Sequence, residues 1–494
     1  MSGDHDNLAD RVVALHGRRQ AEADAKRAAT GAERHDIADF ADPVKAAGTI
    51  VTSRFCQAGL RTLHYWQGEF HRYTGAYYEI LPAADVRALL YELGPPASAK
   101  PIKKRVVDDV HDALRAAANL SHRVVPTAPA WVDVQIEDPD PRAVIPLRNG
   151  LLDIERDALA PPTPRFFSPY CLPFDHCQDA PLTPVWLRFL DSIWPGDEES
   201  VECLQEWLGY LLTPDTRQQK GLLIVGPKRS GKGTIGRLIG QLVGDRNVVS
   251  PTLASLGDPF GLQPLIGKTV ALMSDARLGG RADIAAIAES VLRLTGEDSI
   301  SVARKFQDSY TARLLTRLVI FANEIPVFRD AASALPSRFV ILRMERSFYG
   351  AEDHGLDAKL TAELPGILAW ALEGLRRLRN RGRFHQPHAG LAELRLMQDL
   401  ASPIGAFLRE TCIAEPGGEV PVQKLYTAWR EWCREHGRDQ PGTEQTFGRD
   451  IAAATPGVRI SRKRIDDQRV RYYVGLRLRE PGDGDGADVE DEAQ

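Results

Sequence analysis

Residues 221–234 read GLLIVGPKRSGKGT, and this stretch decides the fold of the chain. The apolar run at 221–225 predicts a buried strand that leads into a glycine-rich loop. Apolar residues then recur at helical spacing at Ile235, Leu238, Ile239 and Leu242. Strand, glycine loop and helix in this order predict an α/β fold, with the loop at the start of a helix.

The glycine-rich loop is suited to binding phosphate. Gly226 and Gly231 let backbone N–H groups approach phosphate oxygens, and the helix dipole favours negative charge there. The pattern G-x4-G-K-[ST] places Lys232 at the β- and γ-phosphates, but Gly233 stands at the hydroxyl position, so Thr234 is the candidate for the magnesium-side hydroxyl. The predicted nucleotide-binding residues are Gly226, Pro227, Lys228, Arg229, Ser230, Gly231, Lys232, Gly233 and Thr234.

Three polar residues downstream of the loop stand at the ends of predicted strands. The strand predicted at 269–275 ends in Asp275, a candidate for magnesium ligand and for water-activating base alike. The strand predicted at 318–322 is followed by Asn323, whose amide suits the γ-phosphate and the attacking water. Arg338 opens a third strand, predicted at 338–342, and is suited to contact phosphate across a subunit boundary. The loop alone leaves open a small-molecule kinase of the adenylate kinase type.

Composition predicts an ordinary globular protein. The chain has 494 residues, 43% of them hydrophobic and 26% charged, which corresponds to roughly three domains. The net charge of −5 is dominated by residues 480–494, which hold seven acids and no base. Six scattered cysteines suit a reducing compartment, and no apolar run reaches the roughly 20 residues that span a bilayer. We therefore expect a cytoplasmic protein with no membrane partner.

Taken in order, these motifs resemble the superfamily 3 helicases, within the phage and plasmid primase-helicase group that includes the poxvirus primase-helicase. The resemblance rests on residues 226–234, the strand ending at Asp275, LTGEDSISVARKF at 294–306, FANEIP at 321–326, and Arg338. Weaker similarity to the collar domain of these proteins lies in NGLLDI at 149–154 and LQEWLGYLL at 204–212. Many relatives have Glu or an acidic pair where this chain has Ser274 and Asp275.

The resemblance implies a ring-forming AAA+ motor, commonly a hexamer, that uses ATP and Mg²⁺ to move on single-stranded DNA and unwind forked duplexes. It assigns catalytic roles to Lys232, Asp275, Asn323 and Arg338, the last as an arginine finger, and metal ligation to Thr234 and Asp275. It implies a DNA-contacting hairpin with Arg304 and Lys305 at its basic tip. Further partners would be a separate primase or a replication initiator, in the cytoplasm of a bacterial host.

The C-terminal region predicts a second nucleic-acid surface. Amphipathic helices are predicted at 421–436 and after Thr443, followed by two strands around residues 466–468, which is the order of a winged-helix module. Arg462, Lys463 and Arg464 lie in the first of these strands and are suited to phosphate contacts.

These observations predict five regions. They are a flexible leader (1–45), an N-terminal α+β and helical collar domain (46–215), an AAA+ ATPase domain (216–385), a winged-helix DNA-binding module (386–480) and an acidic disordered tail (481–494). Two alternative functions remain open: a bifunctional primase-helicase, and an origin-binding initiator in which ATP controls assembly without processive unwinding. The first 200 residues show no strand with the paired carboxylates that priming needs.

Overall fold

A computed structural model describes residues 40–94, 102–121, 123–177, 179–274, 276, 283–305, 307–328, 334–438, 440–455, 457–465, 468–480 and 483. Most of the predicted leader, Asp275 and nearly all of the predicted acidic tail lie outside these residues. The chain divides into two compact units, one formed by residues up to 72 and from 80 to 121, the other by residues 73–79 and the chain from 122 onward. No helix in the described part is long and apolar enough to cross a bilayer. The five predicted region boundaries remain predictions.

The first unit packs helices against short strands. Its elements, with the strand that follows residue 73, are α1 Pro43–Arg54, β1 Cys56–Gln57, β2 Leu60–Arg61, β3 Leu63–Trp66, β4 Glu69–Tyr73, β5 Tyr78–Leu81, α2 Ala83–Leu93 and α3 Lys104–Ala117. Helix α2 begins after Pro82 and ends before Gly94, so the sequence itself indicates both limits. The amphipathic spacing of residues 103–120 indicates one helix, but α3 ends at Ala117. The backbone N–H of Leu120 donates to the Tyr65 carbonyl (2.9 Å), and the N–H of Tyr65 donates to the Ala118 carbonyl (2.8 Å). The chain thus leaves the helix to pair with β3.

The second unit begins with small sheets and two helices. They are β6 Ala130–Trp131, β7 Val144–Leu147, β8 Gly150–Asp153, β9 Ala158–Ala160, β10 Phe166–Phe167, α4 Pro184–Ile193 and α5 Glu198–Leu211. The sequence Asn149-Gly150 indicates a tight turn, and the structure has it one position earlier, at Arg148 and Asn149, because Gly150 already pairs with Leu147. Trp186 and Trp207 are fully buried on α4 and α5, as their helical spacing predicts.

A five-stranded sheet forms the centre of the second unit. Its elements and their neighbours are β11 Gly221–Val225, α6 Lys232–Val243, β12 Val248–Val249, β13 Val270–Met273, α7 Ile284–Thr295, β14 Ser299–Arg304, β15 Gln307–Arg313, β16 Arg317–Ala322 and β17 Phe339–Arg343. The sheet order is β12-β13-β16-β11-β17, and every pair is parallel. All residues of β11, β13 and β16 are buried, as expected for a parallel sheet covered on both faces. The carboxyl ends of all five strands therefore lie at one common edge of the sheet.

Helix α5 packs closely against a helix that follows the central sheet. After β17 come α8 Leu356–Ala362 and α9 Leu364–Arg381. A Cβ at Gly209 would lie 2.2 Å from the Ala371 carbonyl oxygen, so α5 and α9 approach more closely than side chains would allow. The buried carboxylate of Glu206 on α5 accepts hydrogen bonds from Arg377 (2.7 Å) and Arg381 on α9. Close backbone packing and a buried ion pair together fix α5 on α9.

The C-terminal part has its own aromatic core. Its elements are α10 Leu391–Ala401, α11 Pro403–Thr411, β18 Cys412–Pro421, α12 Val422–Glu435, α13 Glu444–Ala454, β19 Arg459–Ile465 and β20 Gln468–Leu478. Phe407, Trp429 and Phe447 pack together inside it. The helices and the hairpin match the prediction, and Thr443 caps α13 by accepting from the Thr446 N–H. The sheet has a third strand, β18, which the sequence does not predict.

Candidate functional site

The loop between β11 and α6 has the tight backbone that its glycines suggest. A Cβ at Gly226 would come within 2.7 Å of Met344 Cβ and 2.8 Å of the Met344 carbonyl oxygen, so only glycine fits there. Arg229 and Gly231 both have positive φ, at 60° and 99°. The loop therefore curls at the carboxyl end of β11 and enters the helix with its N–H groups unused by helical bonding.

Lys232 opens α6 and turns back into the loop. Its Nζ donates to the carbonyl oxygens of Gly226 (2.6 Å) and Pro227 (2.7 Å) and to Ser230 Oγ (3.3 Å). These acceptors hold the ammonium over the concave side of the loop, next to the helix N-terminus. A phosphate at this place would meet a cation, backbone N–H groups and the positive end of a helix dipole.

Two cavities meet at the start of α6. The first, about 960 Å³, lies between the loop, α4 and the segment 348–359. The second, about 610 Å³, lies between α6 and the carboxyl ends of β13 and β16, and Ser274 lines it. Both cavities are lined by Lys232, Gly233, Arg237 and Asn323. These four residues therefore mark the point at which the two cavities join.

The structure brings together two of the four predicted catalytic residues. Asn323 follows β16, which lies directly beside β11, so its amide shares both cavities with Lys232. Asp275 lies outside the described residues, two positions beyond β13. Thr234 lines the first cavity, whereas Ser274 lines the second. Thr234, predicted to supply the magnesium-side hydroxyl, thus lines a different cavity from Ser274.

Arg338 lies at the opposite edge of the sheet. It ends a 3-10 turn, Pro336–Arg338, and β17 begins at Phe339, so Arg338 precedes the strand that it was predicted to open. Because β17 runs parallel to β11, Arg338 lies about 17 Å of strand away from the glycine loop. Its Nη1 donates to Gln219 Oε1 at 2.6 Å. Burial and the charge of Arg338 lower the pKa of the neighbouring Lys220.

The hairpin implied by the helicase resemblance is present. Strands β14 and β15 pair antiparallel, and Arg304 pairs with Gln307 at the tip, which confirms the hairpin. Lys305 is exposed, with its Nζ 5.6 Å from the Phe260 ring and its backbone N–H 3.3 Å from Gln263 Oε1. Neither cavity is lined by Arg304, Lys305 or a described residue of β15.

The C-terminal hairpin gathers like charges on one face. Arg462 lies opposite Arg471, and Arg464 lies opposite Arg469. Residues two apart on a strand share a face, so these four guanidinium groups line one side of the hairpin. Like charges directly opposite each other destabilise a sheet. A bound polyanion neutralises such charges, so this kind of face is typical of a polyanion-binding surface. Two carboxylates touch this basic region, since Glu444 pairs with Arg471 and Glu419 with Lys463 (2.5 Å).

Sequence reasoning missed part of the first cavity wall. Phe189 is buried, as the helical spacing of α4 predicts, but it also lines this cavity, and its ring carbons lie 3.2 Å from the position of a Cβ at Gly231. Arg237 was also missed, although it stands three positions after Thr234 on the same side of α6. On the facing segment, Asp353 accepts a hydrogen bond from Lys359 (2.8 Å), which holds the pKa of Asp353 below its usual value.

Known proteins resemble two parts of the chain. Residues 66–195 match the family described as "D5 N terminal like", and residues 224–338 match a "Family of unknown function (DUF5906)". The "Uncharacterized mitochondrial protein ymf21" of Marchantia polymorpha is 32% identical over 87 residues, which make up 17% of this chain and 48% of that protein. The chain thus spans about half the length of this curated relative.

Solved structures show the same overall fold. The apo structure of the NrS-1 C-terminal region has a TM-score of 0.51 at 10% identity, and the match covers 88% of this chain and 99% of that one. An A form of the same region has a TM-score of 0.50 at 10% identity and covers 88% and 100%. The chain is a mixed α/β protein with this fold, and its D5 N-terminal-like segment supports a general relationship to the phage-type primase-helicases.

Proposed function

We propose that the chain is an ATP- and Mg²⁺-dependent DNA helicase of the superfamily 3 type, acting in replication of a phage, plasmid or integrated element. One observation carries the proposal. Lys232 and Asn323 meet at the carboxyl edge of a parallel sheet, where a glycine loop opens a helix, and Arg338 stands at the other edge. This arrangement has the parts of a nucleotide site shared between neighbouring subunits of an AAA+ ring.

The cavity residues fit a magnesium nucleotide. Gly226 packs against Met344, which lets the loop turn at the end of β11, and Lys232 already rests on carbonyl acceptors inside the loop. Bound Mg²⁺ would neutralise charge that develops on the transferred phosphoryl group. Lys232 would bind the terminal phosphates, Asn323 would orient the attacking water, and Asp275 would serve at the metal or as base. Thr234 would contribute a hydroxyl on the first cavity.

The position of Arg338 supports an oligomer, rather than a monomer, as the active form. A guanidinium at the amino ends of β11 and β17 is remote from the loop of its own sheet. It can stabilise transition-state charge only when a neighbouring subunit presents it to that loop. We therefore propose a ring of identical chains, commonly six in the helicases that the sequence resembles.

The two basic hairpins are suited to complementary contacts with DNA. The β14–β15 tip, with Arg304 and Lys305, would follow single-stranded DNA as nucleotide is turned over. The four arginines of β19 and β20 would add salt-dependent affinity. The chain order helix, strand, helix, helix, hairpin from α11 to β20 supports a winged-helix module there.

The decisive experiment is strand displacement from a forked DNA duplex by the intact chain with Mg-ATP. We expect release of a labelled strand that needs hydrolysable ATP and is abolished in Lys232→Ala. Binding to duplex DNA with slow turnover and no displacement would favour the initiator switch. Phosphorylation of a free nucleotide would favour the small-molecule kinase.

A bifunctional primase-helicase is the second candidate, favoured by the D5 N-terminal-like match over residues 66–195. Priming would extend the same replication role to nucleotide polymerisation. The test is synthesis of labelled dinucleotides on a single-stranded template by the same preparation. Product that survives Lys232→Ala would identify a second active site, because that variant affects the ATPase loop alone.

A further inference from the structure

Arg237 shares both cavities with the predicted catalytic residues. Only Lys232, Gly233, Arg237 and Asn323 line the two described cavities together, and neither the sequence motifs nor the family resemblance assigns a role to Arg237. Lys232 and Asn323 belong to the proposed ATPase site. The guanidinium of Arg237 therefore lies at the junction where the phosphates of a nucleotide would pass.

The departure from the phosphate-loop pattern makes room for this guanidinium. A Cβ at residue 233 would lie 3.3 Å from Arg237 Nη1, which is a tight contact. Arg237 Nη2 lies 3.4 Å from Thr234 Oγ1, because long side chains on a helix lean toward its N-terminus. Because residue 233 is glycine, the loop lacks the usual hydroxyl there, and the Arg237 guanidinium lies beside that position.

Arg237 forms an ion pair with a carboxylate that a phosphate can replace. Asp357, at the start of α8, accepts from Arg237 Nη2 (3.1 Å) and lies 2.9 Å from its Nε. The two side chains are 58% and 47% exposed, and ion pairs at such sites contribute little to stability. A phosphate offers the same forked geometry with more negative charge, so it would compete effectively with Asp357.

We propose that Arg237 is a phosphate-positioning residue that passes from Asp357 to the phosphate chain of Mg-ATP when nucleotide binds. The inference rests on the proposed ATPase function and deepens it. Asp357 then opposes nucleotide binding, because its carboxylate is paired with the Arg237 guanidinium before nucleotide binds. Gly233 and Arg237 act as a matched pair that replaces the usual loop hydroxyl with a mobile cation.

A double-mutant cycle on nucleotide affinity tests the exchange. We expect Arg237→Ala to weaken Mg-ATP binding roughly tenfold or more, as for removal of one charged hydrogen bond. Asp357→Asn should tighten binding several-fold by freeing the guanidinium, and should have no effect when Arg237 is already Ala. Adenosine, which lacks phosphates, should bind all variants equally. Arg237→Lys keeps the charge without the fork and should retain part of the affinity.

Controls separate this role from a structural one. Arg246→Ala removes a guanidinium that is 81% exposed, pairs with Glu79 and lines neither cavity, so it should leave affinity unchanged. Unchanged ATP affinity in Arg237→Ala, or tightening by Asp357→Asn without Arg237, would overturn the inference. If these results overturn the role of Arg237 but Lys232→Ala still abolishes ATP binding, the ATPase proposal stands. If the wild type binds no nucleotide, the ATPase proposal fails and this inference with it.

Discussion

The glycine loop at the sheet edge and the C-terminal basic hairpin are both positively charged, but they are built differently. The loop stands on fully buried strands, and its shape depends on positive φ angles and on Gly226 lying against Met344. The hairpin displays its arginines on an exposed face, two residues apart along each strand. In the loop, geometry is fixed by packing. On the hairpin, charge density matters more than the position of any one atom.

This difference separates two kinds of contribution. Catalysis requires groups held in place before the transition state forms, so single substitutions at the loop should have large effects. Binding to a polyanion sums over many weak contacts, so each hairpin arginine should contribute a small and salt-dependent part.

The largest effect is expected from Lys232→Ala. The change removes the ammonium that the loop carbonyls hold at the terminal phosphates. Hydrolysis should fall by roughly 10³-fold and ATP affinity should drop as well, measured by phosphate release and by equilibrium binding. Lys45→Ala, an exposed lysine in the other compact unit, serves as the control and should behave as wild type. Near-normal turnover in Lys232→Ala would remove the basis for the phosphate-loop assignment.

Arg338→Ala should spare ATP binding and strongly slow turnover. Arg338 lies at the far edge of its own sheet, so its contribution would reach the site of a neighbour. We expect ATP affinity to stay within about threefold while hydrolysis falls roughly 10²-fold. Gln219→Ala, which removes only the hydrogen-bond partner of Arg338, should have a smaller effect.

Mixing variants tests whether Arg338 acts in trans. Arg338→Ala chains keep an intact loop, and Lys232→Ala chains keep the arginine. Mixed rings should therefore recover part of the hydrolysis at interfaces that combine both. Assembled mixed rings with no recovery would show that the arginine does not act on a neighbouring site.

The β14–β15 tip should couple DNA to hydrolysis. The double change Arg304→Ala with Lys305→Ala leaves both cavities untouched, because neither is lined by this hairpin. We expect the basal ATPase rate to persist within about twofold while the stimulation by single-stranded DNA disappears. The matched control is Arg293→Ala, on α7, which pairs with Glu289. Full stimulation in the double variant would make the tip an ordinary charged turn.

The elements found from sequence are those encoded by local pattern. The strand, loop and helix around Lys232 follow from an apolar run, spaced glycines and helical periodicity, and all three form as predicted. The limits of α2 follow equally from its own residues. Local signals of this kind are visible in a short stretch of sequence.

The missed features all depend on distant partners. Strand β18 includes Gly417 and Gly418, which are typical of a turn, but β20 supplies its pairing across a bulge. The role proposed for Arg237 depends on Asp357, which is 120 positions away. Phe189 faces the loop only because α4 packs there. No short-range periodicity encodes such contacts.

The smallest effect is expected at the C-terminal hairpin. Replacing Arg462 and Arg464 by Ala removes two members of the four-arginine face, while the hairpin pairing remains. The slope of log K for DNA binding against log salt should flatten by roughly one unit for each phosphate that the hairpin no longer neutralises, with basal ATPase unchanged. Arg156→Ala, a surface arginine beside Asp153, is the control. Identical slopes would make this face a protein-docking surface.

The most direct test of the central claim is steady-state ATP hydrolysis by the intact chain, measured with and without single-stranded DNA at saturating Mg-ATP. Wild type and Lys232→Ala are measured in parallel. We expect wild-type hydrolysis to rise when DNA is added, and hydrolysis by Lys232→Ala to stay far below the wild-type rate under either condition. Hydrolysis that ignores DNA, or that persists in Lys232→Ala, would contradict a DNA motor built on this loop.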